Sequence, residues 1–225
     1  YVVVGSGSTD RSGEIAETLA TRVSESGWLG CSDTESLAVT HRSNPWILWL
    51  DADETVTAGL ATGIRHRLAN YPPGRGFEMP RKAIFLGRWI KHCGWYPGFV
   101  CRLFHREHGA FNGKLVHEGL EVDGQVERLT NDLIHHTDRS LEHYLYKFNR
   151  YTSLAAEELN DSGRKSGIAD LLFRPPVMFL KMYVFKLGCL DGIQGLILCA
   201  LSSCYVFTKY AKLWHIQFTR NRPQG

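Results

Sequence analysis

The feature that most constrains this chain is Trp46-Ile47-Leu48-Trp49-Leu50, five apolar residues that pass directly into Asp51-Ala52-Asp53-Glu54. A short, wholly apolar run is the pattern of a strand buried on both faces. Unpaired carboxylates cannot follow it into a core. The chain therefore has to leave the sheet at Asp51 and present its acids at a strand end. Asp51 and Asp53, two residues apart there, can share one hard cation, and that cation would in turn bind substrate phosphates. A solvated acidic turn that caps the next helix fits the same pattern.

The flanking sequence supplies an α/β frame. Tyr1–Val4 predicts a short buried strand, followed by the loop Gly5-Ser6-Gly7-Ser8-Thr9-Asp10. A helix is expected from Arg11 to about Val23, with Ile15, Leu19 and Val23 on one stripe and Asp10 as its cap. Residues 24–36 read as loop. Ala58 to Asn70 predicts a helix that Tyr71-Pro72-Pro73-Gly74 stops. Strand-like pieces follow at Phe77–Pro80, Val100–His105, Leu120–Val122 and Leu133–His136. Ser140 to Asn160 has the spacing of an amphipathic helix, with Tyr144, Phe148, Tyr151 and Ala155 about one turn apart. Arg174-Pro175-Pro176 is expected to break the chain. Two apolar stretches come after it, Val177–Leu190 and Gly192–Phe207. In open α/β sheets ligands bind beyond the carboxyl ends of strands. Both the Gly5–Asp10 loop and Asp51–Glu54 would lie there, which points to a nucleotide site.

Charge separates the two ends of the chain. The net charge of +3 is too small to imply a nucleic-acid partner. From Arg164 onward, however, nine Lys/Arg stand against only Asp170 and Asp191, which leaves 17 basic and 21 acidic residues before that point. A basic, apolar tail suits an anionic membrane surface. Gly192–Phe207 is near the lower limit for a bilayer span, with Lys209, Tyr210, Lys212 and Trp214 after it as an interfacial anchor pattern. Val177–Leu190 contains Lys181 and Lys186 and reads as an amphipathic helix lying in the interface. Peripheral attachment is expected rather than a span. The six cysteines form no C-x-x-C pair and read as small buried hydrophobes in a reducing compartment. The chain opens inside a strand with no initiator Met, and so reads as N-terminally incomplete.

Several side chains invite chemistry. Glu118 in Val116-His117-Glu118 is a carboxylate that could take a proton from an acceptor hydroxyl, with His117 orienting substrate or base. A surface strand end is the plainer reading of the same residues. Gly94-Trp95-Tyr96-Pro97-Gly98 follows the basic segment Arg88–His92, and aromatic faces beside cations suit a sugar ring and its phosphates. Packing of a hydrophobic loop would use the same residues. Gly5–Asp10 nearly matches a dinucleotide fingerprint, but Asp10 stands where the third glycine belongs. Ten histidines carry neither H-E-x-x-H nor zinc-finger spacing. No G-x-S-x-G elbow is present.

With these pieces in place the chain resembles family 2 glycosyltransferases of the GT-A fold, and among them the bacterial lipopolysaccharide-core β-glucosyltransferases. Val2–Asp10 (VVVGSGSTD) and Trp46–Glu54 (WILWLDADE) are similar to general blocks of the superfamily. The more specific likeness runs from Gly87 to Trp214: GRWIKHCGWYPGFVCRLFHR, KLVHE, LIHHTDRSLEHYLYKFNRYTSLAAEEL, LDGIQG and FTKYAKLW. The resemblance implies a GT-A-like α/β core with a mixed sheet over residues 1–139, lacking its first strand. Residues 140–225 would form a helical, membrane-associating region. It implies Mg²⁺ or Mn²⁺ on Asp53, and Asp51 on the nucleotide ribose or the same metal. Ser6 and Arg102 would serve the nucleotide sugar, Trp95, Tyr96 and His117 the acceptor, and Glu118 the general base. The expected reaction moves a hexose, glucose above all, from a UDP-linked donor to a lipid-linked saccharide such as the lipopolysaccharide inner core. It would run with inversion, at the cytoplasmic face of the inner membrane. Gly5 and Thr34-Glu35-Ser36 depart from the family's donor-binding pattern, and Gly98 stands where an acid or amide is common. A remnant that keeps the fold as a binding module is therefore the alternative, and a nucleotide-binding oxidoreductase comes third.

Overall fold

The computed structural model describes residues 2–5, 10–25, 44–70, 74–111, 120–138 and 140–220. In chain order the elements are β1 (Val2–Gly5), α1 (Ser12–Leu19), β2 (Arg22–Glu25), β3 (Trp46–Leu48), β4 (Glu54–Val56), α2 (Ala58–Ala69), β5 (Gly76–Phe85), β6 (Arg88–Trp89) and β7 (Gly98–His105). Then come β8 (Gly109–Phe111), β9 (Leu120–Val122), β10 (Val126–Arg128), β11 (Leu133–Asp138), α3 (Leu141–Asp161) and α4 (Ile168–Leu180). A π-helical turn (Lys181–Phe185) and a 3-10 turn (Gly188–Asp191) lead into the long α5 (Gly192–Arg220). This is a mixed α/β protein with C-terminal helices. It divides into two compact units. One holds Tyr1–Leu50, Thr62–Met79 and Val100–Thr130, and the other holds Asp51–Ala61, Pro80–Phe99 and Asn131–Gly225.

In the first unit β1 pairs parallel with β2, Val3 opposite Val23. The predicted helix stops at Leu19 instead of reaching Val23, because Ala20 is already extended. Residues 22–25 then supply the partner strand that β1 needs. Asp10 acts as foreseen, its Oδ1 accepting the Ser12 N–H at 3.0 Å, but Ile15 and Leu19 are exposed. The apolar run of β3 is three residues long and pairs antiparallel with β7, Ile47 opposite Phe104. Phe77, Met79, Leu103 and Phe104 form the buried interior, with the Trp46 ring 5.5 Å from that of Phe77. The hairpin β8–β9 and the parallel pair β10–β5 complete the strands. Of these, β8 and β10 were not foreseen.

In the second unit β11 pairs antiparallel with β4 and parallel with β5, whose far end turns back on β6. Strand β5 is far longer than the predicted Phe77–Pro80. Pro80 lies outside the residues of β5 that pair with β11, which are Arg81–Phe85. Thr57 starts α2, its Oγ1 accepting the Leu60 N–H at 3.1 Å and donating to the Asp132 carbonyl at 2.9 Å.

The C-terminal helices correct two expectations. Pro175 and Pro176 do not break the chain but lie inside α4. Prolines cost a helix two N–H donors, and packing along α5 sustains it. Leu171 meets the cluster of Ala156, Tyr210 and Leu213, Met178 and Phe179 meet Leu198 and Cys199, and Ser203 Oγ donates to the Pro175 carbonyl at 2.8 Å. The second correction concerns the expected anchor after Phe207. Tyr210 is buried, and Lys212 Nζ lies 2.8 Å from four oxygens of α3, on Asn149, Thr152 and Ser153. Among the described residues one helix, Gly188–Thr219, is long and apolar enough to cross a membrane, with mean hydropathy 1.5. Of the five described cysteines, all free, Cys93 and Cys199 are buried as foreseen, while Cys189 and Cys204 are exposed.

The segment Leu190-Asp191-Gly192-Ile193-Gln194-Gly195 explains itself in this setting. Asp191 is buried and accepts the Lys91 N–H at 3.2 Å, the His92 N–H at 2.8 Å and His92 Nδ1 at 3.0 Å. Gly192 has φ +68°, and a Cβ on Gly195 would overlap the Gly188 carbonyl oxygen. Replacing Asp191 with Ala strands two backbone donors and should cost about 3–5 kcal/mol. Urea unfolding measures this as a lower midpoint at unchanged slope.

Candidate functional site

The acids that follow β3 sit in a tight turn. The Asp51 carbonyl accepts the Glu54 N–H at 3.0 Å, and Glu54 Oε2 accepts the Asp51 N–H at 3.2 Å. Glu54 thereby closes the turn, and Asp53 faces β11. Its carbonyl accepts the His136 N–H at 2.8 Å, and its carboxylate Oδ2 lies 3.3 Å from His135 Nε2. Burial works against ionising Asp53, but the His135 hydrogen bond and charge, with the positive field of Lys147, outweigh it. The carboxyl is held below its ordinary value. His135 Nδ1 is buried without a hydrogen-bond partner.

His135 also lines a cavity of about 500 Å³ that lies wholly within the second unit. Its polar lining is Arg81, His135, Thr137, Asp138 and Lys147, and its aromatic lining is Trp95, Tyr144, Phe148, Tyr151 and Tyr205. Strand β5 brings Arg81, β11 brings His135 to Asp138, α3 brings Lys147 with three rings, and α5 brings Tyr205. Lys147 Nζ donates to the Thr137 carbonyl at 3.2 Å and stands 3.6 Å from Asp138 Oδ1. Asp138 is buried, Thr137 donates to its Oδ2, and its Oδ1 has no hydrogen bond, only ion pairs to His143 and Lys147. A buried carboxylate oxygen so placed is an open acceptor for a ligand hydroxyl. Cations beside a wall of aromatic rings, with one such acceptor, suit a sugar that carries negative charge.

The residues expected at the site divide. Asp53 joins His135, and Trp95 lines the cavity while packing edge-on against Phe85 at 6.1 Å. Tyr96 does not line it. Its hydroxyl donates to Asp132 Oδ1 at 3.0 Å and its ring meets Trp89 edge-on at 5.3 Å. Burial, and then that bond to Asp132, push the Tyr96 phenol up. Arg102 belongs to the first unit, where it is buried with its guanidinium 4.0 Å from the Trp49 ring. Ser6, His117, Glu118 and the segment Thr34–Ser36 lie outside the described residues. Sequence reasoning missed Arg81, His135, Asp138 and Lys147. Charged residues inside the strand runs PRKAIF and LIHHTD were the available signal.

Asp53 and His135 offer a carboxylate oxygen and an imidazole nitrogen from two adjacent strands. That is a donor pair suited to a divalent first-row metal that completes its shell with phosphate oxygens and water. Elsewhere, among the described residues, His105, Glu107 and His108 bring ligand atoms within 4.8 Å of one another. There, however, Arg75 Nη1 lies 2.9 Å from His108 Nδ1, and its charge opposes a cation.

No family model matches the chain. It is 28% identical over 235 residues, 99% of this chain and 85% of the relative, to the lipopolysaccharide core biosynthesis glycosyltransferase LpsC of Rhizobium meliloti. It is 26% identical over 223 residues, 94% of this chain and 76% of the relative, to an uncharacterized glycosyltransferase of Rickettsia typhi. Among solved structures, S. aureus TarS 1–349 aligns with 100% of this chain and 83% of its own at 11% identity and a TM-score of 0.43, a loose likeness. Over nearly its whole length, then, this chain is related to bacterial glycosyltransferases, the lipopolysaccharide core enzyme LpsC among them.

Proposed function

We propose that the chain transfers a hexose, glucose by preference, from a UDP-linked donor to a lipid-linked saccharide such as the lipopolysaccharide inner core, with inversion. The observation that carries this reading is the Asp53–His135 pair on the edge of a cavity lined by aromatic rings and two cations. The relation to a lipopolysaccharide core glycosyltransferase supports the choice of acceptor.

The site residues divide the work as follows. Asp53 and His135 would hold Mn²⁺ or Mg²⁺, with Asp51 nearby in the same turn. The metal would neutralise charge that builds on the departing diphosphate. Arg81 and Lys147 offer positive charge to phosphate groups, and the Trp95 ring offers a face to a sugar. Asp138 accepts from a sugar hydroxyl, which fixes the ring's orientation. In the reaction the acceptor oxygen bonds to the anomeric carbon as the carbon–oxygen bond to phosphate breaks. The nucleoside diphosphate leaves with the electron pair. The acceptor's proton passes to a carboxylate, the role that family resemblance gives to Glu118.

Titration calorimetry of UDP into the purified chain with Mn²⁺ tests the donor half. Asp53→Ala should abolish metal-dependent binding. His135→Ala should weaken it on the order of 10- to 100-fold, as expected when one ligand is lost. Full binding by both variants would remove the reading. Asp138→Asn should leave UDP affinity within about twofold and raise KM for the saccharide acceptor by about five- to tenfold, for one lost hydrogen bond of about 1–1.5 kcal/mol. Lys147→Gln, which removes a cation offered to phosphate, should weaken UDP binding as well.

The lowered Asp53 value also has a sign. Its contribution to stability is complete above the ordinary carboxyl value of 3.8 and is lost as pH falls through the lower folded value. The stability gap between the parent chain and Asp53→Asn should therefore narrow on acidification below that value. Chemical denaturation at a series of pH values reads it.

A further inference from the structure

We propose that the outer face of the C-terminal hairpin, along α4 and the turns that join it to α5, is a lipid-docking surface. It would lay the protein on an anionic bilayer without crossing it. On α4 and the π turn, Phe173, Val177, Leu180 and Val184 recur at three- and four-residue spacing and are all exposed. They form one stripe along the helix. Ile168 adds an exposed apolar side chain at its start, and Phe185 extends it beyond the helix. Ile168 is 76% exposed, Phe173 67% and Phe185 79%. These are not residues waiting for a neighbour inside the fold. The opposite side of α4 already packs on α5 through Leu171, Met178 and Phe179. A continuous apolar face on this scale marks a surface that something covers.

Charge identifies what covers it. Between Arg164 and Leu190 the chain carries five cations and one acid, Asp170. That acid is committed to Arg164 and Arg174. Lys181 and Lys186 are exposed within the same segment as Val184 and Phe185. Their long stems can lie along hydrocarbon while the ammonium groups reach phosphates. An apolar stripe edged by lysines is the pattern of a helix that lies in a membrane interface.

The fold also explains why α5, though long and apolar enough, would not cross the bilayer. It is tied to the polar helix α3. Lys212 holds Asn149, Thr152 and Ser153, and the Tyr205 hydroxyl donates to the Tyr151 carbonyl at 3.2 Å. Inserting α5 would either break these bonds or drag Glu157, Glu158 and Asp161 into hydrocarbon.

The test is flotation of the purified chain with vesicles of phosphatidylethanolamine and phosphatidylglycerol, against vesicles of phosphatidylcholine alone. No donor or acceptor is added, so the result is independent of transferase activity. The chain should float with the anionic vesicles and far less with the zwitterionic ones. Phe173→Ser with Phe185→Ser should abolish flotation. Lys181→Gln with Lys186→Gln should lower partitioning by about tenfold or more, since each interfacial lysine contributes roughly fivefold. All four positions are exposed, so thermal melts should match the parent. Failure of the parent chain to float would overturn the proposal, as would unchanged flotation of both variants. So would a parent dimer in light scattering that the serine variant dissolves, because a second copy would then be what covers the stripe.

Discussion

A single buried carboxylate organises the second unit. Asp191 is buried, and it accepts hydrogen bonds from the Lys91 and His92 backbone, from the His92 ring and from the Cys93 thiol. Those bonds join residues about a hundred positions apart. They fix the start of α5 against the loop that carries Trp95, and α5 and that loop each contribute to the cavity wall. The two glycines after Asp191 serve the same junction. One takes a left-handed turn, and the other lets two backbones approach. A charge that must be satisfied thus sets the place of several side chains that have none.

The cavity shows the same economy with charge. Around it two carboxylates, Asp53 and Asp138, stand against two basic side chains, His135 and Lys147, and each is partly or wholly withdrawn from water. At partial burial, pairwise attraction outweighs desolvation only when partners are close, and Asp53 falls on that side. Asp138 is less well served, because the Lys147 ammonium stands just beyond hydrogen-bond reach of its Oδ1. Such a group is stabilised further by a ligand that brings a hydroxyl. The same geometry that leaves it short of a partner makes it selective.

Local patterns in the sequence carried the strands that begin or end a run, the N-terminus of α3 at Ser140, and the exit of the chain at Asp51. They did not carry β8 or β10, which are three residues each and depend on partners far along the chain. Nor did they reveal that two prolines would lie inside a helix, since propensity is local and the packing that overrides it is not. At the site, Asp53 and Trp95 were legible because each stands in an unusual context. Arg81, His135, Asp138 and Lys147 were not, because only the pairing of β5 with β11 and the docking of α3 bring them to one cavity. Tyr96 shows the opposite failure. It was expected beside Trp95 at the site, but a hydrogen bond to Asp132 turns it elsewhere.

The two prolines of α4 set an order of events. With two donors missing, that helix has little reason to form from its own backbone, and isolated helices of its length are marginal in any case. Its shape is borrowed from α5, which follows it in the chain. During synthesis the segment from Ile168 to Leu180 would therefore stay open until the longer helix has emerged to receive it. Its apolar side chains would be gathered onto one face late, so the stickiest surface of the molecule would exist only once the rest was there to carry it.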